Sequence, residues 1–167
     1  MPNNIQNLQA APIPTRYLSN PDHWRRLGNG VLSWSVFKIY EATVWINSPD
    51  ADFNANQHFA LQLDYLRSIE GNQLAASSMA EMIRLYPESA LHFSAWQKHL
   101  DTIARDMQRG DTLTIEFHPT PDIGARFFLN DAFLAEVAGV GFADAFAAIW
   151  LDPRTKAPDL RAKLLAL

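Results

Sequence analysis

The chain has 167 residues, the size of one ordinary domain, and it contains no cysteine. The absence of cysteine excludes disulfide scaffolds, thiolate metal sites, iron–sulfur clusters and cysteine nucleophiles. A hydrophobic fraction of 48% argues against intrinsic disorder, and a net charge of −4 without a clustered basic patch argues against nucleic-acid binding.

The first 20 residues are polar and rich in Asn, Gln and Pro, which predicts an extended or disordered arm before a single domain over residues 21–167. This start has no apolar stretch of signal-peptide length. The most apolar window, residues 132–151, contains Glu136 and Asp144 and is interrupted by glycines. Charged residues are costly at mid-bilayer, so we expect a buried strand and a buried helix there, and no transmembrane segment.

Two strands are predicted next. Residues 31–46 carry β-branched and aromatic side chains at strand density, between Gly28-Asn29-Gly30 and a polar turn. Residues 59–65 alternate between apolar and more polar side chains, which indicates one buried face and one mostly solvated face. We expect these segments to be neighbouring antiparallel strands.

The hydrophobic period then changes to that of helices. Asn72 is a candidate N-cap for a helix that ends before Pro87. A second helix is predicted to begin near Ser89 and to stop before Gly110. It has apolar residues at three- and four-residue spacing, which is typical of packing onto a sheet: Phe93, Trp96, Leu100, Ile103 and Met107.

After residue 110 the period returns to two. Strands are predicted over residues 112–118, 125–129 and 133–137, and helices over residues 142–150 and 159–167. Because strands and helices occur in separate runs, we expect an α+β fold with an antiparallel sheet.

No catalytic or metal-binding motif stands out. The histidines do not have the spacing of a helical metal pair, and phosphate loops, nucleophile elbows and dinucleotide fingerprints are absent: His23, His58, His92, His99 and His118. We therefore predict no catalytic residue, no metal and no cofactor. The abundant aromatic residues are compatible with a packed core or with an apolar ligand pocket.

Several segments between residues 28 and 167 resemble the chalcone isomerase-like family. They are Gly28-Asn29-Gly30-Val31 with Phe37-Lys38-Ile39-Tyr40-Glu41-Ala42, residues 61–69, Arg109-Gly110-Asp111, and Arg126-Phe127-Phe128-Leu129-Asn130, which Asp131 follows where glycine is usual. The most specific is the tail, which is similar to the bacterial branch: Phe142-Ala143-Asp144-Ala145-Phe146 and Ile149-Trp150-Leu151-Asp152-Pro153-Arg154-Thr155. The resemblance implies an open-faced β-sandwich, a large antiparallel sheet backed by a layer of helices.

The family resemblance also bears on activity. Catalytic plant members close a flavonoid ring and use an arginine on the first long strand with a threonine, tyrosine, lysine and asparagine. Related members bind fatty acids in the same cleft. In this chain the arginine position is Leu32, the threonine position is Tyr40, and the other three fall near Leu74, Ser77 and Glu81. Leucine cannot replace a guanidinium group. The resemblance therefore implies a non-catalytic member.

We expect the cleft to hold a small apolar ligand such as a fatty acid or similar lipid. One alternative is an intramolecular lyase or isomerase acting on a chalcone-like enone, with a rebuilt site of Tyr40 and either Lys38 or Arg67. Another is a structural or interaction module in which Leu32 and Trp34 fill the cleft. Bacterial relatives are commonly exported, so we expect a periplasmic location, with the cytoplasm as the alternative. The oligomeric state is left open.

The predicted ligand-binding residues come from the first strand and the first helix. Alternation from residue 32 to residue 46 predicts that one strand face lines the cleft. The full set is Leu32, Trp34, Val36, Tyr40, Ala42, Leu74 and Ser77. Because no arginine stands at position 32, we expect neutral ligands to bind at least as well as fatty acids.

Overall fold

The computed structural model describes residues 24–47, 53, 58–118, 123–139 and 141–167. The predicted arm over residues 1–20 lies outside them. Within these ranges the structure has six strands: β1 (Trp24–Trp34), β2 (Phe37–Asn47), β3 (Phe59–Tyr65), β4 (Thr112–Phe117), β5 (Ala125–Leu129) and β6 (Ala132–Val137). The helices among the described residues are α1 (Gly71–Leu85), α2 (Phe93–Ile103), α3 (Phe142–Leu151) and α4 (Pro158–Leu164), with a 3₁₀ helix (Pro87–His92) between α1 and α2.

The strands form one sheet in chain order, and each strand is antiparallel to the next. Buried side chains of all four helices join a single core cluster with alternate residues of the sheet. The predicted fold class, an antiparallel α+β sheet backed by helices, is confirmed. Within the described ranges, no helix combines the length and apolarity needed to cross a membrane.

The single strand predicted over residues 31–46 is wrong, because this segment is a hairpin. β1 ends at Trp34, Ser35 has a positive φ of 56°, and β2 begins at Phe37. The hairpin also contains a register irregularity between Leu32 and Ser33. The strand-like composition concealed the turn, since Val36 is not a typical turn residue and no glycine, proline or asparagine accompanies Ser35.

Two helix boundaries also differ from the prediction. Asn72 is not the N-cap of α1, because the helix begins at Gly71, whose N–H donates to Asp106 Oδ1 at 2.7 Å. The second helix starts as a 3₁₀ turn and ends at Ile103. Met107 is buried, but it lies beyond the helix in an isolated β-bridge with Ile69.

Glycines in β1 allow α4 to approach the sheet closely. A Cβ on Gly28 would overlap the backbone carbonyl oxygen of Lys163, and one on Gly30 would lie 2.9 Å from Leu160 Cδ1. The glycines of the Gly28-Asn29-Gly30 segment therefore serve helix packing inside a strand, whereas the sequence analysis placed the segment before the strand.

The sheet has two unlike faces. The covered face packs against the helices and is apolar, with buried Val44, Leu61 and Ile115. The open face carries the alternate residues, and its buried polar side chains are Thr43, Gln62, Thr114 and Glu116. The prediction of a mostly solvated second face is therefore wrong at the sheet centre. On the open face, Trp45 and Phe128 pack with Ala60 in a separate small cluster that contains no helix residues. Trp24 packs against this cluster.

Candidate functional site

A cavity of about 380 Å³ lies between the covered face and the helices. Its volume is within the range of small-molecule sites, roughly 300–1,000 Å³. Most of its lining is apolar. The sheet contributes Leu32, Trp34, Tyr40, Leu63, Tyr65, Leu113 and Phe127, and the apolar residues from helices and connecting segments include Leu74, Ala75, Leu100, Ile103, Met107, Phe146, Ile149, Trp150 and Leu160.

Small side chains on α1 leave this space open. Ala75, Ser77, Ser78 and Ala80 all line the cavity. Met79, Met82 and Leu85 on the same helix are buried in the core and anchor α1. A helix held by large residues that presents small residues elsewhere on its inner side forms a wall without filling the volume.

Two phenols form the polar part of the inner wall. Tyr40 and Tyr65 are opposite one another in the β2–β3 pair, and their rings meet edge to face with centroids 5.4 Å apart. Trp150 Nε1 donates a hydrogen bond of 2.8 Å to the Tyr40 hydroxyl oxygen. Burial raises the pKa of both phenols well above the ordinary value, so both stay neutral and keep their protons.

These phenols have unused hydrogen-bonding capacity. Among the described residues, no group accepts the Tyr40 hydroxyl proton, and none hydrogen-bonds to the Tyr65 hydroxyl. Tyr65 is nevertheless 4% exposed. Buried polar groups are nearly always paired with protein or water. Two O–H donors are therefore available to an acceptor inside the cavity.

The charged side chains of the described lining are Glu81, Arg105 and Lys156. Lys156 Nζ lies 3.1 Å from Glu81 Oε1, and its side chain is 72% exposed. Hydrogen bonds from Arg84 and Lys156 hold the pKa of Glu81 below its usual value. The exposed Arg105 guanidinium donates to backbone carbonyls of its own segment. These cations therefore lie at the solvent-exposed rim of the cavity, whereas the two phenols are buried.

Five of the seven predicted ligand-binding residues line the cavity: Leu32, Trp34, Tyr40, Leu74 and Ser77. Val36 does not, because it occupies the hairpin turn and is 84% exposed. Ala42 is fully buried in the core but is not part of the lining. Alternation along an unbroken strand would place Val36 on the cavity face, but the strand is interrupted between Trp34 and Phe37. A role of the five lining residues in binding stays a prediction.

The five positions aligned with the catalytic residues of the family all line this cavity. They are Leu32, Tyr40, Leu74, Ser77 and Glu81. The rebuilt site with Lys38 or Arg67 is not assembled. Neither residue is part of the lining, and the Arg67 guanidinium lies 4.3 Å from the centre of the Phe37 ring. The alternative of a cleft filled by Leu32 and Trp34 is wrong, because both residues border open volume.

Sequence reasoning missed Tyr65 and Trp150 as wall residues. Tyr65 is the last residue of a strand whose alternation was recognised, but its position opposite Tyr40 depends on the strand register. From the sequence, Trp150 is expected only to be part of a buried helix. It is buried, and its indole N–H also reaches across 110 positions of sequence to Tyr40. Such a contact leaves no local signal in the sequence.

Comparison with protein families matches residues 7–166 to the family described as chalcone isomerase-like. Comparison with curated proteins finds no match. Among solved structures, the chain is similar to a fatty-acid binding protein of Arabidopsis thaliana, with a TM-score of 0.64 and 10% sequence identity. The similarity covers 86% of this chain and 87% of that chain, and at this identity it shows a shared fold.

Proposed function

The chain belongs to the chalcone isomerase-like family, and on that premise we propose that it is a non-catalytic binding protein. Its ligand is a small, largely apolar molecule, such as a fatty acid or similar lipid, held between the covered face and the helices. The Arabidopsis relative supports this proposal, since it has the same fold and is described as a fatty-acid binding protein.

The observation that carries the proposal is an apolar cavity whose deepest polar groups lack partners. Tyr65 and Tyr40 line the volume with O–H groups that no described residue accepts. A ligand with an apolar chain and one oxygen-bearing head group complements this wall, because the chain contacts the aliphatic residues while the head group accepts from the phenols.

Catalysis is disfavoured by the groups that replace the family's functional residues. Leu32 has no charge, and the Ser77 hydroxyl donates to backbone carbonyls of α1. Stabilising a developing oxyanion requires donors or cations at the reacting oxygen, and loss of one such donor costs roughly 100- to 1,000-fold in rate. We therefore expect no measurable isomerisation of a hydroxychalcone, and turnover above about one per second would contradict this.

The proposal is tested by identifying and then displacing the ligand. Protein purified without detergent is analysed by native mass spectrometry and by solvent extraction of bound lipids. A medium-chain fatty acid and the corresponding alcohol are then titrated by calorimetry. We expect saturable binding with one ligand per chain.

A matched pair of variants locates the binding. Ala75 lines the cavity and is 5% exposed, whereas the next residue, Ala76, is exposed and is not part of the lining. Ala75→Phe should fill the cavity and abolish binding, while Ala76→Phe should bind as the wild type does. Equal binding by both variants, or none by the wild type, would refute the proposal.

We also propose a bacterial, periplasmic setting. Its support is the similarity of residues 142–155 to the bacterial branch of the family, whose members are commonly exported. Fractionation of the native host with an antibody to this chain tests it, and recovery in the cytoplasmic fraction alone would contradict it.

A further inference from the structure

A compact cluster of ionisable side chains lies on the open face, on the side of the sheet away from the cavity. Its members are His58, just before β3, and Glu116 and His118 at the end of β4. The register pairs Phe59 with Phe117, which brings His58 beside the other two. We name these three residues the His–Glu–His cluster.

The cluster is closely packed and mostly buried. His58 Nε2 lies 2.9 Å from one Glu116 carboxylate oxygen, and His118 Nε2 lies 2.8 Å from the other. The Glu116 side chain is fully buried, and those of His58 and His118 are 15% and 9% exposed. The two imidazole rings are tilted by 30° with centroids 4.3 Å apart. Both Nε2 atoms therefore converge on one carboxylate while solvent still reaches the imidazoles.

The carboxylate is ionised despite its burial. Burial by itself would raise the pKa of Glu116, but hydrogen bonds from His118 and His58 outweigh it and lower the pKa to about 2. A nearby cation is Arg126, whose Nη1 lies 3.8 Å from Glu116 and whose Nε pairs with Glu136 at 2.7 Å. A buried anion is stabilised by opposite charge, and a metal ion bound beside it supplies that charge directly.

We propose that the His–Glu–His cluster binds a divalent transition-metal ion through His58 Nε2, His118 Nε2 and a Glu116 carboxylate oxygen. Two imidazoles and one carboxylate are an established ligand set for Zn²⁺ with an open fourth position. Ligand atoms about 2.0–2.1 Å from a tetrahedral ion lie roughly 3.4 Å from one another. One ligand atom from each of the three residues already lies within 4.8 Å of the other two. Small side-chain rotations therefore complete the coordination.

The neighbours of His58 suit a metal ligand. The Asn47 side-chain amide lies 3.1 Å from His58 Nδ1. When Nε2 binds a metal, Nδ1 carries the proton, and a half-turn of the amide presents its oxygen as the acceptor. The Trp24 ring contacts the same imidazole edge to face, with centroids 4.8 Å apart. Such outer contacts fix the orientation of the ring and strengthen binding of the metal.

Helical spacing of histidines predicts no metal site in this chain, because the cluster is assembled from segments that lie far apart in the sequence. Glu116 and His118 are two residues apart at the end of β4, while His58 immediately precedes β3. The inference is independent of the proposed lipid binding, since the cluster and the cavity lie on opposite faces of the sheet.

The test uses the full chain, stripped of metal with a chelator and titrated with Zn²⁺ against a fluorescent competitor. We expect one equivalent of Zn²⁺ per chain and a rise in the melting temperature. His58→Gln and His118→Gln should each weaken Zn²⁺ binding more than about 100-fold, since even an outer-shell change costs 10- to 100-fold. His92→Gln, an exposed histidine on the 3₁₀ helix, is the matched control and should bind as the wild type does.

X-ray absorption of the Zn²⁺-loaded wild type keeps the test decisive even where a variant fails to fold. Two imidazole ligands and oxygen in the first shell support the proposal. Absence of stoichiometric binding, a first shell without two imidazoles, or unchanged affinity in His58→Gln and His118→Gln overturns it and leaves the cluster as a hydrogen-bonded link between strands.

Discussion

The two faces of the sheet are buried in different ways, one against the helices and the other by side chains of the sheet. On the covered face, apolar side chains meet four helices and leave a cavity of about 380 Å³ beside two phenols. On the open face, Thr43, Gln62 and Thr114 occupy register-matched positions on β2, β3 and β4, and Trp45 Nε1 donates to Gln62 Oε1 at 3.0 Å. A void deprives an apolar lining of dispersion contacts, whereas loss of one hydrogen-bond partner leaves a buried polar group unpaired.

The difference follows from chain geometry. Successive residues of a strand point to opposite faces, so Leu61 and Leu63 lie on the covered face while Gln62 lies on the open face. The covered face depends on distant helices and on the small residues of α1. On the open face, side chains of the strands pack and hydrogen-bond with one another. We therefore expect substitutions in the helices to change ligand binding on the covered face. On the open face, we expect substitutions of hydrogen-bonding groups to change the free energy of unfolding.

The largest expected effect is on the covered face. Trp150→Ala removes a side chain that packs on Phe146 and donates to Tyr40, and it should lower the free energy of unfolding by about 3–5 kcal/mol. Trp45→Ala on the open face should cost less, because water can enter the space that it leaves. Urea unfolding measures both, and an equal or greater loss in Trp45→Ala would show that the helices do not carry the main core.

A smaller effect is expected at Glu116 on the open face. Glu116→Gln in metal-free buffer replaces an ionised acceptor of two imidazoles by an amide that can accept only through its oxygen. We expect a loss of about 1.5–3 kcal/mol, the usual worth of hydrogen bonds to a charged group. Glu136→Gln removes a carboxylate on the same face whose side chain is 41% exposed, and its loss should not exceed about 1 kcal/mol. Equal losses would mean that the buried cluster does not stabilise the open face.

The third prediction concerns alkaline pH. Unfolding releases phenolic protons near pH 10, whereas burial keeps Tyr40 and Tyr65 protonated in the folded chain. Their stabilisation is complete below about pH 10 and is lost as the pH rises above it. We expect the free energy of unfolding to fall there, and the double variant Tyr40→Phe/Tyr65→Phe to fall less steeply. Tyrosinate absorbance should appear for these two residues only as the circular dichroism of the fold is lost.

Much of the fold was predictable because its signals are local. Residues 125–129 were predicted with the bounds of β5, and the helix predicted to begin at residue 142 does begin there. The turn at Ser35 was missed since no glycine, proline or asparagine marks it. The α1 start was misplaced because its first N–H is satisfied by Asp106, 35 residues away.

The candidate sites were less predictable than the fold. Leu32 and Tyr40 were found through the family resemblance, whereas Tyr65 and Trp150 required the register and the tertiary packing. The contact between His58 and Glu116 spans 58 positions and depends on the same register. Spacing along the sequence reports neighbours within one element, and these sites are assembled between elements.

In the proposed complex, the phenols of the covered face hold the head group of an apolar ligand. The most direct measurement is the affinity of a medium-chain alcohol and of the matching fatty acid for the wild type and for Tyr65→Phe. Because burial that keeps the phenols neutral also penalises a ligand carboxylate, the alcohol should bind at least as well as the acid. Loss of the Tyr65 hydroxyl should weaken binding of the alcohol about five- to tenfold, the worth of one hydrogen bond. Tight binding of the acid alone, unaffected by Tyr65→Phe, would place the head group at the Arg105 and Lys156 rim and contradict the claim.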